Sequence, residues 1–193
     1  MSDWTPPVMT PHEEDVEVYS NADEVELRLN GRPVGRLPKP LDDAPRIFKV
    51  RFEKGTLTAV ARNRGAVVAT HELKTAGSAA RIVLKSDRAS VTTPGWDELA
   101  HVTAEIVDVQ GVLVPGAADE ITFAVSGPGR VIAVDNGDPQ SHEPYQANKR
   151  RAFQSRCLAL VRTTAWEGRV TVTAQAPGLE AGSVSFDVKP RFQ

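Results

Sequence analysis

Short runs of alternating apolar and polar residues fill most of the chain, which is the period-two pattern of half-buried β-strands. In the first third the alternation is carried by "VEVY" (16–19), "VELRLN" (25–30), "RIFKVRF" (46–52), "TLTAVA" (56–61) and "AVVATHEL" (66–73). Asn30-Gly31 separates "VELRL" from "RPVGRL". Asn-Gly supplies the two positive φ angles of a type I′ turn, so a tight hairpin is predicted there. Lys54-Gly55 and Asn63-Arg64-Gly65 punctuate the later runs. Strand-length runs broken by turn residues at roughly ten-residue spacing predict a small sandwich.

"TAGSAA" (75–80) is small and polar, the composition of a domain boundary. Beyond it the pattern restarts with "RIVLKS", "HVTAEIVDV", "ITFAVSG", "RVIAVD", "CLALVRTT", "RVTVTAQA" and "SVSFDVK". In "HVTAEIV" the inward set is Val102, Ala104 and Ile106, with Thr103 and Glu105 facing water. About seven strands in just over a hundred residues match an immunoglobulin-like sandwich, although its Cys…Trp…Cys core signature is absent. One short helix is expected around "QANKRRAFQ". The fold class is therefore all-β, as two tandem immunoglobulin-like β-sandwich domains over residues 1–76 and 77–193.

Composition narrows the functional classes. The 193 residues are 40% hydrophobic and 25% charged, ordinary for a globular protein. A net charge of −2, from 23 basic and 25 acidic residues, argues against nucleic acid or an anionic membrane as partner. No apolar run reaches the roughly 18 residues of a membrane span. The N-terminal "MSDWTPPVMTPHEED" lacks the basic and apolar regions of a signal peptide. The single cysteine, Cys157, permits no intrachain disulfide and is expected to be a buried, inert thiol.

Candidate chemistry is sparse. His12, His71, His101 and His142 form no paired metal-ligand motif, so neither a metal site nor a cofactor is expected. The densest polar stretch is "DNGDPQSHEP" (135–144), with Asp135 and Asp138 three apart. The spacing does not fit an EF-hand calcium loop. Asn136-Gly137 reads as a tight turn and Asp138-Pro139 as the start of a longer excursion. Asn136, Gly137, Asp138 and Pro139 are taken as a structural loop, braced by Asn136 and Asp138 bonding to backbone amides. The rival reading makes this loop an interdomain or substrate-facing edge. No Gly-x-Ser-x-Gly elbow or phosphate loop occurs, and no catalytic residue is assigned. "NKRRAFQSR" (148–156) reads as a solvated basic turn with Phe153 anchored in the core. Exposed aromatic platforms for a sugar could be Trp166, Trp96, Tyr145 and Trp4, each beside turn residues, with packing against a sheet end as the alternative. Glu167-Gly168 after Trp166 suggests a tight hairpin.

Two longer stretches bear a family resemblance. "DWTPPV…VEVYSNADEVELRLNGRPVGRL" resembles the small β-sandwich module that follows the catalytic barrel in bacterial family 2 glycoside hydrolases of the β-galactosidase type. "VDVQGVLVPGAADEITFAVSGPGRVIAVDNGDP" and "RRAFQSRCLALVRTT" resemble the immunoglobulin-like C-terminal module of the same enzymes. The resemblance implies a bacterial parent, secreted or periplasmic, whose two catalytic glutamates lie on a (β/α)₈ barrel. A barrel takes about 200 to 250 residues of βα units, and no residue here matches its catalytic motif.

The resemblance thus implies a non-catalytic accessory region of a glycosidase. Its partners would be the barrel and the other domains, and its work packing, oligomerisation or completing an active-site rim. Two alternatives remain: a pair of carbohydrate-binding modules with polysaccharide as partner, or a free-standing bacterial immunoglobulin-like adhesion module.

Overall fold

A computed structural model describes residues 3–42, 44–93 and 99–191. The chain divides into two compact units, Met1–Ala76 and Gly77–Gln193, and the described residues of both are built from strands.

The first unit contains β1 (Glu13–Val18), β2 (Glu24–Leu29), β3 (Arg32–Pro38), β4 (Arg46–Arg51), β5 (Thr56–Asn63) and β6 (Ala66–Lys74). A four-stranded antiparallel sheet in the order β3-β2-β5-β6 faces a two-stranded sheet of β1 and β4. The apolar set of β2 (Val25, Leu27 and Leu29) packs with Phe48 and Val50 of β4, and Phe52, Leu57 and Trp4 complete that core. The hairpin at Asn30-Gly31 forms as expected, with φ of 52° and 77°. Asn30 has a further role: its side chain accepts from the Thr56 amide at 2.9 Å and donates to the Lys54 carbonyl at 3.0 Å.

The "SNAD" run is held by a buried arginine. Arg46 donates to the carbonyls of Ser20 (2.8 Å), Ala22 (2.6 Å) and Pro38 (3.0 Å), so backbone oxygens satisfy a charge taken out of water. Asp23 then accepts from the Arg64 amide at 2.8 Å, while its own amide donates to Asn63 at 2.9 Å. These contacts give a physical reason for a polar motif between two strands.

The second unit contains β7 (Arg81–Ser86), β8 (Ser90–Thr93), β9 (Leu99–Val107), β10 (Glu120–Ser126), β11 (Gly129–Asp135), β12 (Lys149–Arg151), β13 (Arg156–Thr163), β14 (Gly168–Gln175) and β15 (Gly182–Pro190). One sheet runs β11-β13-β9-β7 and the other β12-β10-β14-β15-β8. Every pairing is antiparallel except β15 with β8. The first strand is split between sheets, with β7 beside β9 and β8 beside β15, an immunoglobulin-like arrangement. Val102, Ala104 and Ile106 of β9 point inward, against Val170, Val172 and Ala174 of β14, and aliphatic packing fills the space without a disulfide. Gly127 permits a close crossing, because a Cβ there would lie 2.1 Å from the Arg169 carbonyl.

Three sequence expectations are corrected. "QANKRRAFQ" is not helical: its centre forms β12, which pairs with the edge of β10. Trp166 does not sit in a hairpin, because β13 and β14 belong to different sheets and residues 164–167 cross between them. Phe153 is 37% exposed and unanchored, whereas Arg150 of the same basic run is 0% exposed. Burial of Arg150 follows from β12 placing its middle side chain inward and the flanking Lys149 and Arg151 outward.

Candidate functional site

The polar stretch 135–148 leaves β11 and enters β12, at the end of the second sandwich where Asp135 pairs with Leu158. Its backbone is shaped by three successive side-chain caps. Asp135 Oδ1 accepts from the amides of Asn136 (2.7 Å) and Gly137 (3.2 Å). Asn136 Oδ1 accepts from Asp138 N at 3.1 Å, and Asp138 Oδ1 from Gln140 N at 2.9 Å. Gly137 takes a φ of 73°, a conformation that a side chain resists. Short Asx side chains satisfy backbone donors that neither sheet can reach.

Arg150 lies beneath this loop. Nη1 donates to the Glu143 carbonyl at 2.6 Å and Nη2 to Asn136 Oδ1 at 3.2 Å. Carboxylates stand at 3.8 Å (Asp135) and 3.7 Å (Glu143), ion-pair distances too long for hydrogen bonds. The guanidinium carbon is 4.8 Å from the centroid of the Tyr145 ring. Among the described residues Nε is buried without a hydrogen-bond partner. One cation thus gathers both ends of the loop through hydrogen bonds, charge and an aromatic face.

Each carboxylate here already has an assigned task. Asp135 and Asp138 spend oxygens on backbone amides, and among the described residues no three His, Cys, Asp or Glu side chains gather as a metal site. His142 and His71 are solvent-facing. A second loop residue, Asp108, follows β9 and is buried. Burial pushes its carboxyl up, but amides of Gly77, Val112, Gln110 and Gly111 outweigh that and hold it below the usual carboxylate value. Burial also pushes the Cys157 thiol up to about 12, so it is unreactive at neutral pH.

Of the aromatic candidates, Tyr145 and Trp166 of the second unit are not brought together. Trp4 is corrected from platform to core: it is 4% exposed, its ring centroid lies 5.2 Å from that of Phe52, and its indole N–H donates to the Glu53 carbonyl at 3.0 Å. Trp96 lies outside the described residues. Tyr145 is 56% exposed, with the buried Arg150 against its ring. Trp166 is 64% exposed and follows Thr163, which pairs with Gly129. It therefore lies at the opposite end of the sheet from Asp135 and the Tyr145 loop. Its carbonyl accepts from the Thr93 hydroxyl at 2.8 Å, which fixes the link while leaving the ring free. The reading of "NKRRAFQSR" as solvated missed Arg150; the alternation Lys149-Arg150-Arg151 between strand-like neighbours was the available signal.

Comparison with known proteins sets this geometry in a family. Residues 82–185 match the family model described as glycoside hydrolase family 2 C-terminal domain 5. Residues 12–69 match a family described only as a domain of unknown function. The β-galactosidase BoGH2A of Bacteroides ovatus is 41% identical over 177 residues, covering 91% of this chain and 20% of that protein. A β-glucuronidase of Formosa agariphila is 30% identical over 185 residues, covering 90% of this chain and 18% of its own length. Among solved structures, a β-glycosidase from Bacteroides vulgatus superposes with a TM-score of 0.91 at 31% identity, over 97% of this chain and 24% of that one. The chain spans about a fifth of the length of the curated relatives it matches.

Proposed function

This chain belongs to glycoside hydrolase family 2, through its C-terminal domain 5, and from that premise we propose that it is a non-catalytic accessory region of a β-galactosidase-like enzyme. It packs against other domains of that enzyme and completes the assembly around a catalytic barrel.

The observation that carries this reading is β6. It is the last strand of its sheet and is solvent-exposed along nearly its whole length, with Val67 and Val68 among the exposed large apolar residues. An unpaired edge bearing exposed valines and no proline invites association, and proteins usually cover such an edge. A neighbouring domain of the same polypeptide would cover it.

Hydrogen exchange tests the packing. Amides of Val67 and Val68 should exchange at least tenfold more slowly in the full-length enzyme than in this chain, and equal rates would refute it. The isolated chain should hydrolyse no nitrophenyl galactoside; turnover would refute the accessory reading. A second reading, carbohydrate binding, is favoured by the free ring of Trp166.

A further inference from the structure

We infer that the second unit carries a binding cleft for the carboxylate of an acidic sugar, built around Arg130 and Arg162. The two arginines are direct cross-strand partners on β11 and β13, so their side chains leave the same face of the sheet. Like charges directly opposite are unfavourable unless something anionic lies between them. Among the described residues neither arginine has a carboxylate within salt-bridge distance, although fifteen other pairs form. Among the described residues Nε of Arg162 is buried with no hydrogen-bond partner, a state that costs free energy.

Both arginines line one cleft of about 520 Å³, together with Val131, Ile132, Gln146 and Asn148. That volume is within the range of small-molecule sites. Among the described residues no acidic side chain lines it. The Asn148 amide nitrogen is committed to the Phe123 carbonyl at 3.3 Å, which leaves its oxygen as an acceptor. Gln146 makes no side-chain hydrogen bond among the described residues. A guanidinium pair matches a planar carboxylate through paired N–H donors. Two amides beside it offer the donors and acceptors that sugar hydroxyls use. The lining is more polar than apolar and joins two guanidinium groups to two amides, which suits a sugar acid. The site is built by the second unit and β6 belongs to the first, and the two are tested separately, so its failure leaves the packing reading untouched.

The test is a titration of the whole chain followed by NMR of the Arg Nε–H and Gln146 amide signals. Sodium glucuronate or galacturonate should give saturable shifts at Arg162 and Gln146. Glucose, galactose and sodium acetate should bind at least tenfold more weakly. Arg130→Gln and Arg162→Gln should each weaken glucuronate at least tenfold. Arg162→Lys, which keeps the charge and guards against misfolding, should do the same, because the ammonium lacks the planar fork. Absence of saturable shifts overturns the proposal. Acetate binding as tightly as glucuronate overturns the sugar, and glucose doing so overturns the carboxylate.

Discussion

Nη2 of Arg150 donates to Oδ1 of Asn136 across 3.2 Å, while Oδ1 also accepts from the Asp138 amide. One oxygen thereby links a fully buried cation to the first turn of the loop above it. Arg150→Met keeps much of the volume but removes the donors and leaves Asp135 and Glu143 without their counter-charge. Removing one member of a buried pair costs about 3–5 kcal/mol. Because both carboxylates are partly exposed, the expected loss here is smaller, about 2–3 kcal/mol. Urea unfolding measures it, and a loss below about 0.5 kcal/mol, the range of ordinary surface changes, would show that Arg150 does not organise the loop.

Asp138 is a simpler brace, holding one amide, that of Gln140. Asp138→Ala should cost about 1 kcal/mol, the net worth of one such bond. Asp138→Asn retains the acceptor oxygen and should recover most of it. Equal stability of all three proteins by urea unfolding would mean that the loop is held without this side chain.

The alternation of apolar residues made β9 legible down to its inward residues, because a half-buried strand writes its face into every second position. Asn30-Gly31 was legible for a different reason: few pairs of residues accept two positive φ angles. β8 and β12 were not legible, since four and three residues hold too little of a period to register. Arg150 was hidden by its neighbours, as a run of cations reads as solvated until a partner strand turns one inward. Trp4 and Trp166 look alike locally, and only the packing of Phe52 on one and solvent on the other tells them apart.

Glu26 makes the first unit acid-sensitive. The hydrogen bond from Arg28 lowers its carboxyl most, burial opposes this, and the Arg28 charge with bonds from Arg62 and Arg36 adds to the lowering, which brings it to about 2. A depressed folded-state value means the stabilisation is complete above the ordinary value of 4.5 and is lost as pH falls from there towards about 2. The indole N–H resonance of Trp4, which reports this unit's core, should persist to higher denaturant at pH 6 than at pH 3. Glu26→Gln should flatten that difference. An unchanged pH dependence in the variant would assign the acid sensitivity to other groups.

The two placed tryptophans should separate stability from surface chemistry. Trp4→Ala removes a buried ring that packs on Phe52 and holds the Glu53 carbonyl, so it should cost about 3–5 kcal/mol. Trp166→Ala removes an exposed ring whose anchoring contact is made by the backbone carbonyl, which alanine retains. Its cost should stay within about 0.5 kcal/mol. Urea unfolding of the two variants checks both numbers. The neutrality of Trp166→Ala makes it a clean probe: if the chain is retarded in a polysaccharide affinity gel, loss of retardation in a fully folded Trp166→Ala protein places the contact on that ring. Retardation unchanged by the substitution would remove Trp166 from carbohydrate binding.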